Sequence, residues 1–476
     1  MKRLSGLIRL DKEFESSLLT LKEQLCANKP KPIIINGLSS GAELAYLAEA
    51  IVGKKQYSAS PSLILVGSDT ERCRIVSYLS GVGIKALEYK SRELVFNNIS
   101  ASHDTERERL SVLSSVMRGE CDAVVTTPGA ALLSTIPEEL LLSLSLTVGG
   151  ADEISPILLS ERLSALGFVR VDSVESVGQY SRRGGIVDLW YSADENPVRI
   201  EFFGDEIDRM VYFDPITQRS TERVERLDIV PAGEVLMDDG AKERVLSEIN
   251  SLINKAENAD VKAKLTGERI ALLGEGSFNA RDKYIGVIYE NRTTLLDYFK
   301  TYQRSCVFMI ETNNVKEEMK RSLELISSAR ANLLGLGLVS ERAAGYSQNA
   351  KYLEDFLSEN VLIHINSFSS GLGTVNASGL FGFRTRKTVS YGDNPSMLIE
   401  DISAFRRSGY KVILMCENRQ GADSLINSLY DNEISARAIY QSEDFDFSEM
   451  KPSEIVVDIG ACEGFILFSS VPIASL

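Results

Sequence analysis

Histidine is almost missing from this chain: its 476 residues include only His103 and His364. The two lie far apart in sequence, which argues against imidazole-based metal sites and against a Ser-His-Asp arrangement. The six cysteines, Cys26, Cys73, Cys121, Cys306, Cys416 and Cys462, include no CxxC pair. They read as buried free thiols in a reducing cytoplasm, not as disulfides or a zinc site. No apolar run is long enough to span a bilayer, and the opening MKRLSGLIRLDKEF is too broken by charge for a signal peptide. A cytoplasmic location without a membrane partner is therefore expected. Basic charge is also short, with 52 Lys and Arg against 67 Asp and Glu and a net charge of −15. That balance argues against strong nonspecific DNA binding, because phosphate neutralisation needs a basic surface. A protein–protein scaffold fits it better.

What is present is ordinary globular material, 44% hydrophobic and 25% charged, in a chain long enough for several cores. Strand and helix signals alternate from the start. Pro32–Asn36 reads as a strand, Ala42–Ile51 as a helix, Ser62–Val66 as a strand and Thr70–Ser80 as a helix. Ile84–Glu88 and Asp122–Thr126 are further strands, with a helix over Thr105–Arg118 between them. This alternation predicts an α/β fold with a parallel, helix-flanked sheet. Beyond a Pro-Gly stop near Pro231–Glu234, Ala241 to Asn258 reads as a solvent-facing helix. Arg269–Leu273, Thr294–Tyr298 and Val307–Ile310 are short apolar runs of a second α/β segment. Ser367–Gly382 is small, polar and glycine-rich, and reads as a linker or a loose edge. Lys411–Cys416, Arg419–Tyr430, Ile434–Tyr440, Glu454–Ile459 and Phe465–Phe468 make a last small α/β domain.

The stretch Gln179–Ser220 differs in kind. Ile186–Trp190 forms one predicted strand, and Ala193–Pro197 a turn cluster. Val198, Ile200 and Phe202 then alternate with Arg199, Glu201 and Phe203, the period of a half-buried strand. Gly204-Asp205 turns the chain into another strand at Ile207–Phe213. Arg199 and Phe203 project from one face, while Ile186, Ile200 and Phe202 are expected to face the core. Every basic residue from Arg170 to Asp228 is arginine. Exposed Phe beside Arg suits a binding interface, where aromatic and Arg anchors dominate. On these residues alone, an ordinary surface sheet with scattered ion pairs is the better account of the pattern.

A second feature concerns nucleotides. The strand ending at Asn36 passes through Gly37-Leu38-Ser39-Ser40-Gly41 into a helix, which is where a phosphate-binding loop would sit. A working loop continues with Lys and Ser or Thr, but here Ala42 and Glu43 follow Gly41. A carboxylate at that helix end opposes an anionic ligand. An unrelated strand–helix turn with two glycines explains these residues equally well.

Three words stand in fixed order within Gln179–Ser220: YxxRGGxxD, PVRIEFFGDEID and YFDPxTQRS. They resemble the UvrA-binding module (domain 2) shared by bacterial transcription-repair coupling factors and the excision-repair subunit UvrB. Thr294–Phe299 (TLLDYF) resembles the segment preceding the acidic Mg²⁺ motif of UvrB, but the strand after it delivers Glu311-Thr312 in place of Asp-Glu. With Gly37, Gly41, Ala42 and Glu43 as a lapsed loop, the resemblance implies a degenerate RecA/helicase-like lobe, and favours the coupling-factor N-terminus over UvrB. It implies no catalytic residue, no metal and no cofactor. It assigns residues 1–148 to a degenerate helicase-like domain and 149–234 to the UvrA-binding module. Residues 235–387 become the second part of the lobe with a linker, and 388–476 a small α/β domain.

Carried over, the UvrA contacts are Arg183, Arg199 and Phe203, and the role implied is recruitment of UvrA in transcription-coupled nucleotide excision repair. Family members add domains that bind RNA polymerase and translocate on DNA. Those motifs do not occur here, so a fragment is expected. The alternative is a UvrB-like ATP-dependent helicase, which would need the loop Lys, the Asp-Glu pair and an aromatic-rich DNA hairpin. The corresponding stretch Leu94–His103 carries one Phe and no Tyr.

Overall fold

The computed structural model describes residues 6–39, 41–94, 96, 104–150, 152–191, 196–274, 278–368, 376–388, 395–440, 445, 450–459, 465–467 and 473–475. Ser40, most of the Leu94–His103 stretch, most of the Ala193–Pro197 turn, and Cys462 lie outside the described residues.

The strands β1 (Ile33–Asn36), β2 (Ser62–Leu65), β3 (Ala86–Tyr89) and β4 (Ala123–Thr126) come first. Helices Ala42–Lys54, Asp69–Gly81 and Asp104–Arg118 separate them. The second of these helices begins at Ser68, whose hydroxyl accepts the Glu71 N–H, as an N-cap should. β5 (Leu146–Gly149) leads into a separate sheet formed by β6 (Val169–Arg170), β7 (Gln179–Arg183), β8 (Ile186–Leu189), β9 (Val198–Phe203), β10 (Glu206–Phe213) and β11 (Ser220–Val224). β12 (Arg226–Ile229) then returns to pair antiparallel with β5. Two helices follow, Asp239–Lys255 and Ala259–Leu273. β13 (Cys306–Ile310), β14 (Val361–Asn366) and β15 (Gly379–Gly382) rejoin the first sheet, whose order is β15-β1-β14-β13-β2-β4-β3. All of its described pairings are parallel. Its inner strands IIIN, SLIL, AVVT and CVFMI are apolar nearly throughout because helices cover both faces.

The last unit is a mixed sheet of β16 (Thr385–Lys387), β17 (Lys411–Cys416), β18 (Arg437–Ala438), β19 (Ile455–Ile459), β20 (Phe465–Leu467) and β21 (Ile473–Ser475). Helices Pro395–Arg407 and Arg419–Asp431 accompany it. The α/β class expected from the alternation is therefore present, with one parallel sheet and smaller mixed or antiparallel ones.

Two expectations change and two become more specific. The Ser367–Gly382 segment, read as a linker or a loose edge, ends as β15, an edge strand running parallel to β1. Glycine there is required by packing, since a Cβ at Gly379 would meet the Phe381 ring at 2.5 Å. The helix expected over Ala241–Asn258 is not simply solvent-facing, because Val245, Ile249 and Leu252 enter the main core. The three short apolar runs of the second α/β segment resolve into a strand over Val307–Ile310 and helices over Arg269–Leu273 and Leu295–Phe299. Finally, Cys121 and Cys306 are buried as expected, but Cys26 and Cys73 are exposed.

Where the six-stranded sheet rejoins the lobe, a buried charge network closes the junction. Glu234 and Arg109 are fully buried, and the carboxylate accepts from Arg109 Nε at 2.8 Å and Nη2 at 2.9 Å. Arg92 pairs with Glu234 at 3.0 Å and with Asp282 at 2.6 Å. The Glu234 N–H donates to Glu106 Oε2 at 2.7 Å. Charged groups survive such burial when opposite charges face them, as Glu234 and Asp282 face the two arginines.

Candidate functional site

The sheet β6–β11, antiparallel except for the β6–β7 pair, has two unlike faces. On one, Tyr180, Val187, Leu189, Val198, Ile200 and Met210 pack with Leu159 and Leu163 of helix Pro156–Ala165 into a core of their own. Phe202 lies against that core half-buried. The other face carries the residues singled out in the sequence. Cross-strand register puts Asp188 opposite both Ser181 and Arg199, and Ile186 opposite both Arg183 and Glu201. Residues opposite each other share a face. Ile186 is consequently on the outward face, 36% exposed, and the expectation that it faces the core is wrong. Its neighbour Val187 takes the core position.

The sheet brings Arg183 and Arg199 together through a residue to which no role was given, Asp188. Its buried carboxylate accepts from Arg199 Nε at 2.8 Å and Nη2 at 3.0 Å, and from Arg183 Nη2 at 3.0 Å. The Asp188 hydrogen bonds raise the pKa of Arg199 above its ordinary value. Arg199 also donates to Gln218 Oε1 at 3.0 Å, and its guanidinium lies 4.7 Å from the centre of the buried Phe213 ring. Gln218 reaches it from a left-handed backbone conformation, φ 58°. Beside this group, Arg209 forks onto Glu201 at 2.9 and 2.8 Å and holds that carboxyl below the usual carboxylate range.

Phe203 ends β9 and is 83% exposed. It borders an open groove of about 580 Å³ that Asp208, Arg209, Arg223 and Glu225 also line. An aromatic ring left in water, next to a half-exposed guanidinium and Ile186, is an arrangement that gains by being covered. The signal for Asp188 was available: it is the one charged residue inside the apolar run IVDLW.

The glycine loop after β1 forms as expected, with Gly37 at φ 82° and Gly41 at φ 96° before the helix Ala42–Lys54. It is closed by the chain itself. The Ser39 N–H donates to Thr385 Oγ1 at 2.6 Å, and Thr385 Oγ1 donates to the Gly37 carbonyl at 2.8 Å. The Phe383 N–H donates to the Asn36 carbonyl at 2.8 Å, and a Cβ at Gly37 would run into the Phe383 carbonyl oxygen. Glu43 is buried and pairs with Arg74 at 2.6 Å.

Glu311 sits at the end of β13 with φ 50°, a strained value for a residue with a side chain. Its carboxylate accepts the N–H and the O–H of Ser367, the N–H at 2.8 Å. Thr312 Oγ1 lies 2.9 Å from His364 Nδ1, and burial pushes that imidazole down to about 4. Both residues of the altered acidic motif thus bond within the fold. Among the described residues, no group of three or more His, Cys, Asp or Glu could hold a metal, and no helix is long and apolar enough to cross a membrane.

Residues 144–234 match the family model described as the UvrB interaction domain. The stretch contains the whole six-stranded sheet and both strands that lead into and out of it. The chain is similar to curated transcription-repair-coupling factors. It is 27% identical to that of Bacillus subtilis over 363 residues, covering 74% of this chain and 30% of the relative. Against that of Staphylococcus haemolyticus, identity is 22% over 448 residues, or 91% of this chain and 37% of the relative. A match to that of Myxococcus xanthus, 27% identical over 212 residues, covers 44% and 17%. The chain thus spans about a third of the first two relatives. Arg183, Asp188, Arg199 and Phe203 all belong to the UvrB interaction domain.

Proposed function

We propose that the chain recruits UvrA in transcription-coupled nucleotide excision repair, and that UvrA docks on the outward face of the UvrB interaction domain. The observation that carries this reading is the exposed Phe203 on the same face as Arg183 and Arg199. A buried aromatic flanked by charge-assisted Arg contacts is the usual energetic centre of a protein interface. The first parallel sheet is read as a RecA-like lobe that neither binds nor hydrolyses ATP. Ala42 and Glu43 in place of Lys and Ser/Thr support this, and so does Thr385 on the loop N–H of Ser39. RNA polymerase and DNA are partners of other parts of such a protein; with a net charge of −15, this chain has little means to hold DNA itself.

Calorimetric titration of UvrA into the chain tests the reading. Phe203→Ala is expected to weaken binding by about 2 kcal/mol or more, roughly thirtyfold in Kd, with unfolding unchanged. Ile200→Ala, on the core face, is expected instead to lower stability by about 2–5 kcal/mol. No UvrA binding, or equal binding by Phe203→Ala, would overturn the assignment.

A further inference from the structure

Arg183 and Arg199 are held by one carboxylate but are not equivalent. Arg199 is clamped from three sides: Asp188 takes its Nε and Nη2, Gln218 takes Nη2 again, and Phe213 lies under the guanidinium. Its side chain is 18% exposed. Arg183 gives Asp188 a single N–H and its side chain is 56% exposed. Two guanidinium groups against one carboxylate leave the cluster with one positive charge, while Glu201 and Arg209 beside it cancel. That surplus sits on the side chain with donors still turned to water.

We infer that Asp188 is the positioning residue of the docking face: it fixes Arg199 as part of the platform and leaves Arg183 to meet a carboxylate of the partner. The inference rests on the reading of this face as the UvrA-docking surface. It assigns different work to two arginines that the sequence words treat alike. Arg199 acts by holding the sheet surface flat beside Phe203, and Arg183 by direct charge pairing. A carboxylate is the right orienter because it accepts from both forks at once; an amide in its place offers one acceptor and no charge.

The test is a titration of UvrA into the whole chain and its Asp188→Asn, Arg183→Gln, doubly substituted and Gln218→Gly variants, at low and moderate salt. Asp188→Asn should weaken binding about tenfold although Arg183 and Phe203 are intact, and Arg183→Gln should flatten the salt dependence. The double variant should bind no more weakly than about the worse single one, because the two residues act as a unit. Gln218→Gly suits the left-handed backbone there, removes one tether of Arg199, and should cost about threefold. A folded Asp188→Asn chain that binds like the unsubstituted one, or losses that simply multiply, overturns the inference. Should Asp188→Asn fail to fold, unchanged affinity in Gln218→Gly together with unchanged salt dependence in Arg183→Gln overturns it equally. Failure of the unsubstituted chain to bind UvrA removes the docking reading and this inference with it. Binding that ignores Asp188 removes this inference alone.

Discussion

Replacing Glu234 by Gln should uncouple the unfolding of the UvrB interaction domain from that of the parallel-sheet lobe. Glu234 faces two arginines, and its loss is unequal for them. Arg92 keeps Asp282 at 2.6 Å. Arg109, fully buried, would keep an amide oxygen, the Lys90 carbonyl at 2.7 Å and the Tyr89 ring at 4.0 Å, but no carboxylate. A buried cation facing a neutral amide has lost its compensating charge, and breaking such a pair from one side costs about 3–5 kcal/mol. Against a typical total of about 5–15 kcal/mol, that is a large fraction. The assay is urea unfolding followed by two probes. The single tryptophan, Trp190, lies beside β8 and reports on the UvrB interaction domain, while far-ultraviolet dichroism reports on the whole chain. The unsubstituted chain should give coincident transitions; Glu234→Gln should lower both midpoints and pull them apart. Exchanging the pair together, Glu234→Leu with Arg109→Met, should recover part of the loss, because no charge is then stranded. A Glu234→Gln chain within about 1 kcal/mol of the original, with coincident transitions, would refute the reasoning, since a tightly closed buried pair cannot be so cheap to break.

Two further outcomes are expected. Burial holds His364 down to about 4 in the folded chain against about 6.5 unfolded, so the unfolded chain binds the extra proton. Stability contributed by the neutral imidazole should be present above pH 6.5 and fall by up to about 3 kcal/mol as pH drops toward 4; His364→Asn should flatten unfolding midpoints across that window. Installing Lys at Ala42 together with Thr at Glu43 should not create nucleotide binding, because Thr385 still holds the Ser39 N–H. Micromolar ATP affinity by calorimetry in that double variant would mean that the two side chains alone had disabled the loop.

The parallel sheet was legible because its strands are short apolar runs that alternate with helical segments, which are local signals. The strand at Gly379–Gly382 has neither: it is a short GLFG edge segment whose pairing partner, β1, lies far away in the chain. Ile186 was misplaced because Ile186 and Val187 are both apolar, so hydrophobicity cannot say which of the two faces inward. Asp188 can, since it shares a face with Ile186 and is buried by arginines from two other strands. The outward placement of Arg199 and Phe203 followed from simple alternation. That Arg199 is fastened from three sides while Arg183 has the single Asp188 contact depends on Gln218 and Phe213, which no spacing rule connects to Arg199.

The antiparallel pairing of β5 with β12 sets Leu146 opposite Ile229 and Gly149 opposite Arg226. Paired strands lie about 5 Å apart, so the roughly eighty intervening residues begin and end at almost the same point. A loop of ordinary length on the host needs only two neighbouring ends to carry such a cargo. The graft leaves the register of the parent sheet untouched, and a pull on the cargo is borne by a hydrogen-bonded ribbon instead of a single thread. A fold with this geometry can be exchanged between hosts as a cassette, and can acquire a new binding surface without renegotiating the core that supports it.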